Sequence, residues 1–447
     1  MGCGNVGYNL AEQLSKENHE ITLVDTDKKR LQRITDTLDV QGVGDNGVSY
    51  DVLKNAGVKN ADIFIAVTNN DETNIISCIT ASTIGKCRTI ARVRNPLYYN
   101  NMWHIKEKVG LSMYVNPEME AAREIERLIQ IPTAIDVDVF RKSNVNMISF
   151  KIPEGSALGG IKMSEIHQKI TSDILVCVVE RGNEIIIPNG SFTLKTGDII
   201  SAVVPMGSVY DVFKKAGIKT RRIKNVIIAG GGRITYYLAK VLLKAKMSVK
   251  IIEKDYARCE ELSELLPEAD IICSNVSNKE ALLEEGIKET DAFVSLTEND
   301  EENIMLSIYA GKVSESKVIT KIKNVTFEEI IHDLDVGSVV EPKKIVSESI
   351  ISYVRALNNS KGSSIETMYK LKDDRVEAVE LAVNSTIEGL VGVKLAFAKL
   401  KDNILISTIN RANRSFIPGG NDSVELGDRV IVVSAGKEIN SLKDILA

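Results

Sequence analysis

The sequence predicts an α/β protein built twice over, with two doubly wound parallel-sheet domains, each followed by a small α+β domain. Three observations carry this expectation. First, the chain repeats itself: "MGCGNVGYNLAEQL" matches "AGGGRITYYLAKVL" and "ADIFIAVTNNDETN" matches "TDAFVSLTENDEEN". These matches set Asp25 against Glu253 and Asp71 against Asp300, and the spacing drifts by one residue between the two pairs. Second, short strands rich in Val, Ile and Ala alternate with helical periods, the rhythm of a parallel sheet covered by helices. Third, each copy carries a glycine-rich turn at the start of a helix, where a phosphate-binding loop of such a sheet belongs.

The elements of the first copy follow in order. Helical periodicity begins at the glycine turn and covers 4–17, and the β-branched run at 20–25 reads as a strand. Then come helix 28–38, strand 40–43, helix 48–56, strand 62–67, helix 71–84, strand 88–93, helix 96–109, strand 112–115 and helix 118–130. The last, "PEMEAAREIERLI", has Pro117 at its start and Met119, Ala122, Ile125 and Leu128 along one side, so it can leave the sheet and link neighbouring subunits. The expected divisions are 1–133 and 223–360 for the sheet domains and 134–222 and 361–447 for the small domains. In the small domains, "DILVCVVE" and "DIISAVV" alternate around a Pro-Asn-Gly turn, with Pro188 matching Pro418 and Asp198 matching Asp428. In the second copy the strand "IKNVIIAG" feeds the glycine turn; the first copy has no such strand. That strand should be central, so its omission is expected to split the first sheet, and the natural protein is expected to start several residues upstream.

Composition narrows the function. A chain of 447 residues with 44% hydrophobic content divides into several cores. The formal net charge is −5 with no basic stripe, which argues against nucleic acid as a partner. No apolar run is long enough to span a membrane. Six cysteines without a CxxC pair or Cys/His cluster suit a reducing compartment, exclude a zinc motif and read as small buried apolar residues.

The candidate site is phosphate-centred. Gly2-x-Gly4-x-x-Gly7 would turn its amides toward an anion at the positive end of the following helix. Asp25 ends the next strand, where it either holds a ribose diol or caps the helix that follows. Its charge would repel a 2′-phosphate, favouring NAD(H) or adenosine phosphates over NADP(H). In the second copy Gly230, Gly231 and Gly232 form the turn, and Thr235 replaces the third glycine. Arg233 can pair with a phosphate, Ile234 follows it in the helix, and Glu253 keeps the acidic role. Counting the missing first strand, 62–67 is the fourth strand and 88–93 the fifth; Thr68 and Asn69 follow the fourth at the ligand-binding edge, while Asn70 and the acidic pair after it read as helix caps. Arg92 and Arg94, matched by Lys321 and Lys323, alternate along the fifth strand. Cations there need either a bound anion or an acidic neighbour, and both readings stay open.

Catalytic machinery is missing from the pattern. His19, His104, His167 and His332 occupy unrelated places in the two copies, and no nucleophile elbow, Walker loop or HExxH pattern occurs. The order of glycine loop, "TLVDTD", "GDNGVSYDVLKNAG", "ADIFIAVTNNDETN", "TIARVRNP" and "VNPEMEAAREIERLI" closely resembles the TrkA-type regulatory subunits of Trk potassium-uptake systems, a tandem RCK/KTN family. The resemblance covers essentially the whole chain. It implies Rossmann-like RCK_N domains, RCK_C small domains, and a non-enzymatic cytosolic protein on the inner face of the membrane. It implies binding of NAD(H), with ATP or ADP as further ligands, and control of potassium flux through a TrkH-type membrane subunit by a ring of copies. Carried over by motif, the first site would use Gly2, Cys3, Gly4, Asn5 and Val6 at the phosphates, Asp25 at the ribose, and Thr68, Asn69 and Arg92 nearby. The second would use Gly230 through Ile234 and Glu253. Two alternatives remain: an NAD-dependent oxidoreductase, and a regulator of a different potassium channel or antiporter.

Overall fold

The computed structural model describes residues 1–140, 143–170, 174–205, 207–323, 331, 334–359, 365–371, 375–412, 414–436, 439 and 441–447. The expected boundary at 360/361 and His332 lie outside the described residues.

The second half shows the doubly wound sheet whole. Six parallel strands, Asn225–Ala229, Ser248–Glu253, Asp270–Cys273, Ala292–Ser295, Lys317–Lys321 and Ser338–Val340, lie in the spatial order third, second, first, fourth, fifth, sixth. Its apolar strands are covered on both faces: Ile228, Val294 and Ile319 are fully buried. The order reverses between the first and fourth strands. Their ends diverge at that switch point, and the crevice above it is where such sheets take ligands.

The first half has the same elements, a little shorter than expected: strands Thr22–Val24, Gln41–Val43, Ile63–Ala66, Arg88–Arg92 and Met113–Val115, and helices Asn5–Lys16, Lys28–Thr35, Tyr50–Asn55, Asp71–Ile84, Pro96–Ile105 and Pro117–Gln130. The sequence expected the helix from 96 to reach 109, but it stops at Ile105 and turns through Gly110, whose φ is 72°. As expected, this sheet is divided, into a two-stranded and a three-stranded piece. Met1 and Gly2 bridge them, with Met1 N donating to Ile65 O (2.7 Å), Val67 N to Met1 O (3.0 Å) and Gly2 N to Val24 O (2.9 Å).

Each small domain is a five-stranded antiparallel sheet of the same topology. In the first, strands Leu175–Arg181 and Glu184–Ile186 form the tight hairpin, so its turn is at Gly182–Asn183 and not at Pro188–Gly190 as the sequence suggested. Glycine at 182 supplies the positive φ, 60°, that this turn needs. The repeated aspartates are structural: Asp198 takes Arg181 through two bonds of 2.8 Å, and Asp428 takes Arg411 through bonds of 2.9 and 2.8 Å. The two small sheets pack on each other through Phe140, Met147, Val178, Leu371, Val376 and Ile431.

The halves are clasped by their last sheet-domain helices. The first exit helix, Pro117–Gln130, buries Ala121, Ala122, Ile125, Leu128 and Ile129 in a core shared with Ile234 and Leu238 of the second half. The second exit helix, Pro342–Asn359, returns the contact: Val346, Ile350, Ile351 and Val354 pack on Val6, Leu10 and Leu14. Arg355 adds an ion pair to Glu17. The helix expected to link neighbouring subunits therefore links the two halves of a single chain.

Candidate functional site

Each glycine turn is shaped by close approach. Gly2 has φ 88° and Gly230 φ 99°, and a Cβ on either would stand within 2.9 Å of backbone from the fourth strand's end. A Cβ on Gly7 would sit 1.9 Å from Gly2 O. Thr235 occupies that place in the second half, fully buried, and its hydroxyl donates to Gly230 O at 2.6 Å. Nothing lies within 4 Å of a Cβ on Gly4 or Gly232, so the backbone there is open to a ligand. These two glycines are the N-caps of the loop helices, Asn5–Lys16 and Arg233–Lys244, and neither helix has a side-chain cap on its amides. The chemistry fits an anion: exposed donors at the positive end of a helix, with no side chain competing for them.

The carboxylates face these turns. Asp25 accepts from Cys3 N (2.5 Å) and Asp27 N (2.8 Å), and Glu253 from Gly231 N (2.6 Å) and from Lys254 N and Asp255 N (both 2.8 Å). Helix capping is done by their neighbours, Asp27 through Arg30 N and Asp255 through Arg258 N. Asp25 and Glu253 thus brace the glycine turns and retain lone pairs for a hydroxyl donor.

Beyond the switch point the sequence signal was incomplete. Thr68 is held by Asn74, whose side chain takes Thr68 N (2.9 Å) and Oγ1 (2.7 Å) and donates to Thr68 O (3.1 Å) and Arg92 O (2.9 Å). Asn303 likewise takes Thr297 N (2.8 Å) and donates to Thr297 O (3.2 Å) and Lys321 O (3.1 Å), while the Thr297 hydroxyl goes to Asn299 O (3.1 Å). Both asparagines are fully buried. They organise this edge and were missed, although the repeat of "NDETN" as "NDEEN" preserves them. Asn70 caps its helix through Thr73 N, as expected. Asp71, expected to cap as well, is instead the first residue of the helix and accepts from Arg94 N (2.8 Å) and Asn95 N (2.7 Å).

The fifth-strand cations divide into two kinds. Arg94 pairs with Glu118 and Lys323 with Glu298, so these are structural ion pairs. Arg92, 7% exposed, donates instead to Thr68 O (2.6 Å) and Asn69 Oδ1 (2.8 Å), while its Nε is buried without a partner among the described residues. Burial, then the neighbouring Arg94, lowers its pKa to about 10. Lys321, 4% exposed, donates to Leu296 O (3.2 Å), and burial lowers it to about 8.

The structure brings Arg233 to the other half. It lines a cavity of about 370 Å³ together with Asn95, Pro96, Leu97, Tyr236 and Arg258. One turn further along the same helix, Tyr237 OH meets Asn116 Nδ2 at 2.9 Å, and Asn116 caps the first exit helix. A second cleft, of about 600 Å³, lies beside Lys254, Ser277, Lys279, Asn299, Met305 and Tyr309. It opens at the strand ends next to Glu253 and had no motif to announce it. Among the described residues no cluster of His, Cys, Asp and Glu could hold a metal ion, and no helix is long and apolar enough to cross a membrane.

Comparison with known proteins bears on the whole of this architecture. The TrkA-N domain model matches residues 1–117 and again 226–342, and the TrkA-C domain model matches 147–217. The Trk system potassium uptake protein TrkA homolog of Archaeoglobus fulgidus is 32% identical over 99% of this chain and 98% of its own. The solved structure of the GsuK channel bound to NAD superposes with a TM-score of 0.62 at 15% identity, covering 97% of this chain and 75% of that one. The crystal structure of the GsuK RCK domain does so with a TM-score of 0.61, covering 97% and 91%.

Proposed function

This chain belongs to the TrkA family of Trk-system potassium uptake proteins, and from that premise we propose that it is a nucleotide-sensing regulatory subunit acting on a TrkH-type potassium-translocating membrane subunit. The observation that carries the reading is the repeated constellation of an open, uncapped glycine turn facing a strand-end carboxylate, once in each half. NAD(H) is the ligand proposed for the first site, with ATP or ADP as further ligands. Amides of Gly4, Asn5 and Val6 would hold phosphate and Asp25 a ribose, as would those of Gly232, Arg233 and Ile234 with Glu253 in the second half; the amides of Gly2, Cys3, Gly230 and Gly231, expected at the phosphates, are taken by Val24 O, Asp25, Ile252 O and Glu253 and shape the turns instead.

The mechanism lies in the clasp. Each loop helix begins at a phosphate-binding turn and packs along its length on the exit helix of the other half. Each exit helix in turn runs toward a small domain. A ligand that favours one setting of a loop helix therefore favours one setting of the opposite exit helix, by no more than its difference in affinity for the two. Lys317 and Ser338 of the second sheet also bond Ala134 O and Ile135 O, at the entry to the first small domain. Exposed Leu97 and Trp103, at 66% and 67%, lie on the outward helix Pro96–Ile105 and supply apolar surface for assembly into a ring on the cytosolic face of the membrane.

The test is calorimetry of the full chain with NADH, NAD, ATP and ADP, followed by potassium flux in liposomes holding a TrkH-type subunit. Binding of at least one nucleotide and a flux that changes with it are expected. Heat from none of the four, or a flux indifferent to a nucleotide that binds, overturns the reading.

A further inference from the structure

Two thiols lie at the rim of the second glycine turn. Cys259 lies in the first turn of the helix Tyr256–Leu265, and Cys273 ends the edge strand Asp270–Cys273, where it is the parallel register partner of Glu253. Both cysteines thus flank Glu253, and Cys273 acts electrostatically on the Cys259 thiol. Cys273 is the one exposed cysteine of the six, against the expectation that all would be buried. Cys259 is buried, and its Sγ donates to Glu253 O at 3.4 Å. The first half has no counterpart. Aligned through the helix caps Asp27 with Asp255 and Ser49 with Asn278, its matching residues are Leu31 and Gly44.

We propose that Cys259 and Cys273 form a reversible redox pair, which a hydroperoxide such as hydrogen peroxide converts into a disulfide beside the second glycine turn. Cys273 sulfur attacks one peroxide oxygen; the O–O bond breaks, a sulfenic acid forms and one water leaves. Cys259 sulfur then attacks the sulfenic sulfur. The S–S bond forms, the S–O bond breaks, and the departing hydroxide takes the Cys259 proton as the second water. Two thiols have lost two electrons and two protons, and the peroxide has gained them. Burial, followed by the influence of Cys273, pushes the Cys259 thiol up to about 12, which makes exposed Cys273 the first to react and the closure slow.

The bond would be felt at the turn. Arg258, next to Cys259, donates to Gly231 O at 2.7 Å, and Glu253 takes Gly231 N at 2.6 Å. Pinning the helix to the edge strand and removing the thiol donor to Glu253 O alters both supports. This consequence rests on the nucleotide reading above, whereas the thiol chemistry does not.

The full chain is treated with hydrogen peroxide, alkylated, digested and mapped by mass spectrometry. A Cys259–Cys273 linked peptide pair is expected, lost on adding dithiothreitol and absent from Cys273→Ser, a change at an exposed site that leaves the fold in place. Cys273 driven to sulfinic or sulfonic acid while Cys259 remains alkylatable overturns the proposal, as does linkage of Cys273 to a second chain. With the first site weakened by Asp25→Asn, oxidation is expected to change adenine-nucleotide affinity by about threefold or more. An unchanged affinity with the disulfide formed overturns the coupling. No nucleotide binding even in the reduced protein would instead count against the proposed function.

Discussion

The two halves solve the same packing problem with different chemistry. In the first, the loop helix comes so close to the glycine turn that only Gly7 fits, its place for a Cβ lying 1.9 Å from Gly2 O. In the second, Thr235 stands in that position and turns the contact with Gly230 O into a hydrogen bond. The cation of the fifth strand is Arg92 in one half and Lys321 in the other, and the carboxylate is Asp25 in one and Glu253 in the other. Duplication kept the scaffold and let the two strand-end edges diverge, so the two proposed sites need not answer to the same conditions.

The largest test of that difference is to impose one half's solution on the other. Gly7→Thr puts a side chain where Gly2 O stands, and it is expected to destabilise the first half by on the order of 3 kcal/mol through overpacking. Thr235→Gly removes a buried hydroxyl bond and adds a flexible residue to a helix, for about 1–2 kcal/mol. Denaturant melts of the two variants check this. Equal losses would show that the two turns are packed alike.

The cations differ next in size of effect. Lys321 has its pKa lowered from 10.5 to about 8, first by burial, with Glu298, Lys323, Asp300 and Glu118 as its charged surroundings. Below pH 8 both folded and unfolded chains hold the proton, and the folded state carries the full cost of the buried charge. Between about 8 and 10.5 the unfolded chain binds the proton that the folded chain has released, so stability rises with pH. The gain is up to about 3 kcal/mol. Lys321→Met should flatten that rise, leaving the share of Lys317, which burial also lowers to about 8. Arg92, lowered only to about 10, adds nothing in the lower part of the window. Melting temperatures of wild type, Lys321→Met and Arg92→Met from pH 7 to 10 decide it; a flat wild-type curve would contradict the buried, charged lysine.

Where the halves are the same, they should fail alike. Asn74→Ala and Asn303→Ala each strand buried backbone groups of the fourth and fifth strand ends, for roughly 2–3 kcal/mol apiece. A loss confined to one half, seen as a change in only one set of protected amides on hydrogen exchange, would break the equivalence.

What was legible in the sequence follows the same division. Strand and helix order came through because β-branched runs and 3.6-residue periods are local, and the duplication let each copy check the other. The glycine turns were readable because close backbone approach leaves few residue choices. Asn74 and Asn303 were passed over inside their helices, since their role depends on strand ends 18 residues further on meeting them, at Arg92 and Lys321. The ion pair of Arg94 with Glu118 was undecidable for a similar reason: an alternating cation looks the same whether its partner is a phosphate or a distant carboxylate. The clasp of exit helices on opposite loop helices could not be seen at all, because an apolar stripe such as Ala122, Ile125 and Leu128 does not name what covers it.

The smallest effect asks whether the two carboxylates do more than brace their turns. Asp25→Asn and Glu253→Gln keep size and shape but replace an acceptor oxygen by a donor, so each loses charge at the position proposed for a ribose diol. A hydrogen bond to a charged acceptor is worth about 1.5–3 kcal/mol, and part of it survives through the remaining carbonyl oxygen. The net expectation is roughly 1.4 kcal/mol, a tenfold loss of nucleotide affinity in the half that carries the change. The same substitution also weakens a bond to Cys3 N or Gly231 N, which would lower stability in the absence of any nucleotide. The two roles separate when calorimetric affinity and the nucleotide-free melting point are read together. Affinity lost with the melting point nearly unchanged assigns the carboxylate to the ligand. A lower melting point with affinity intact makes it a brace alone, and a different answer at Asp25 and Glu253 would mean that only one half of the chain has kept a working site.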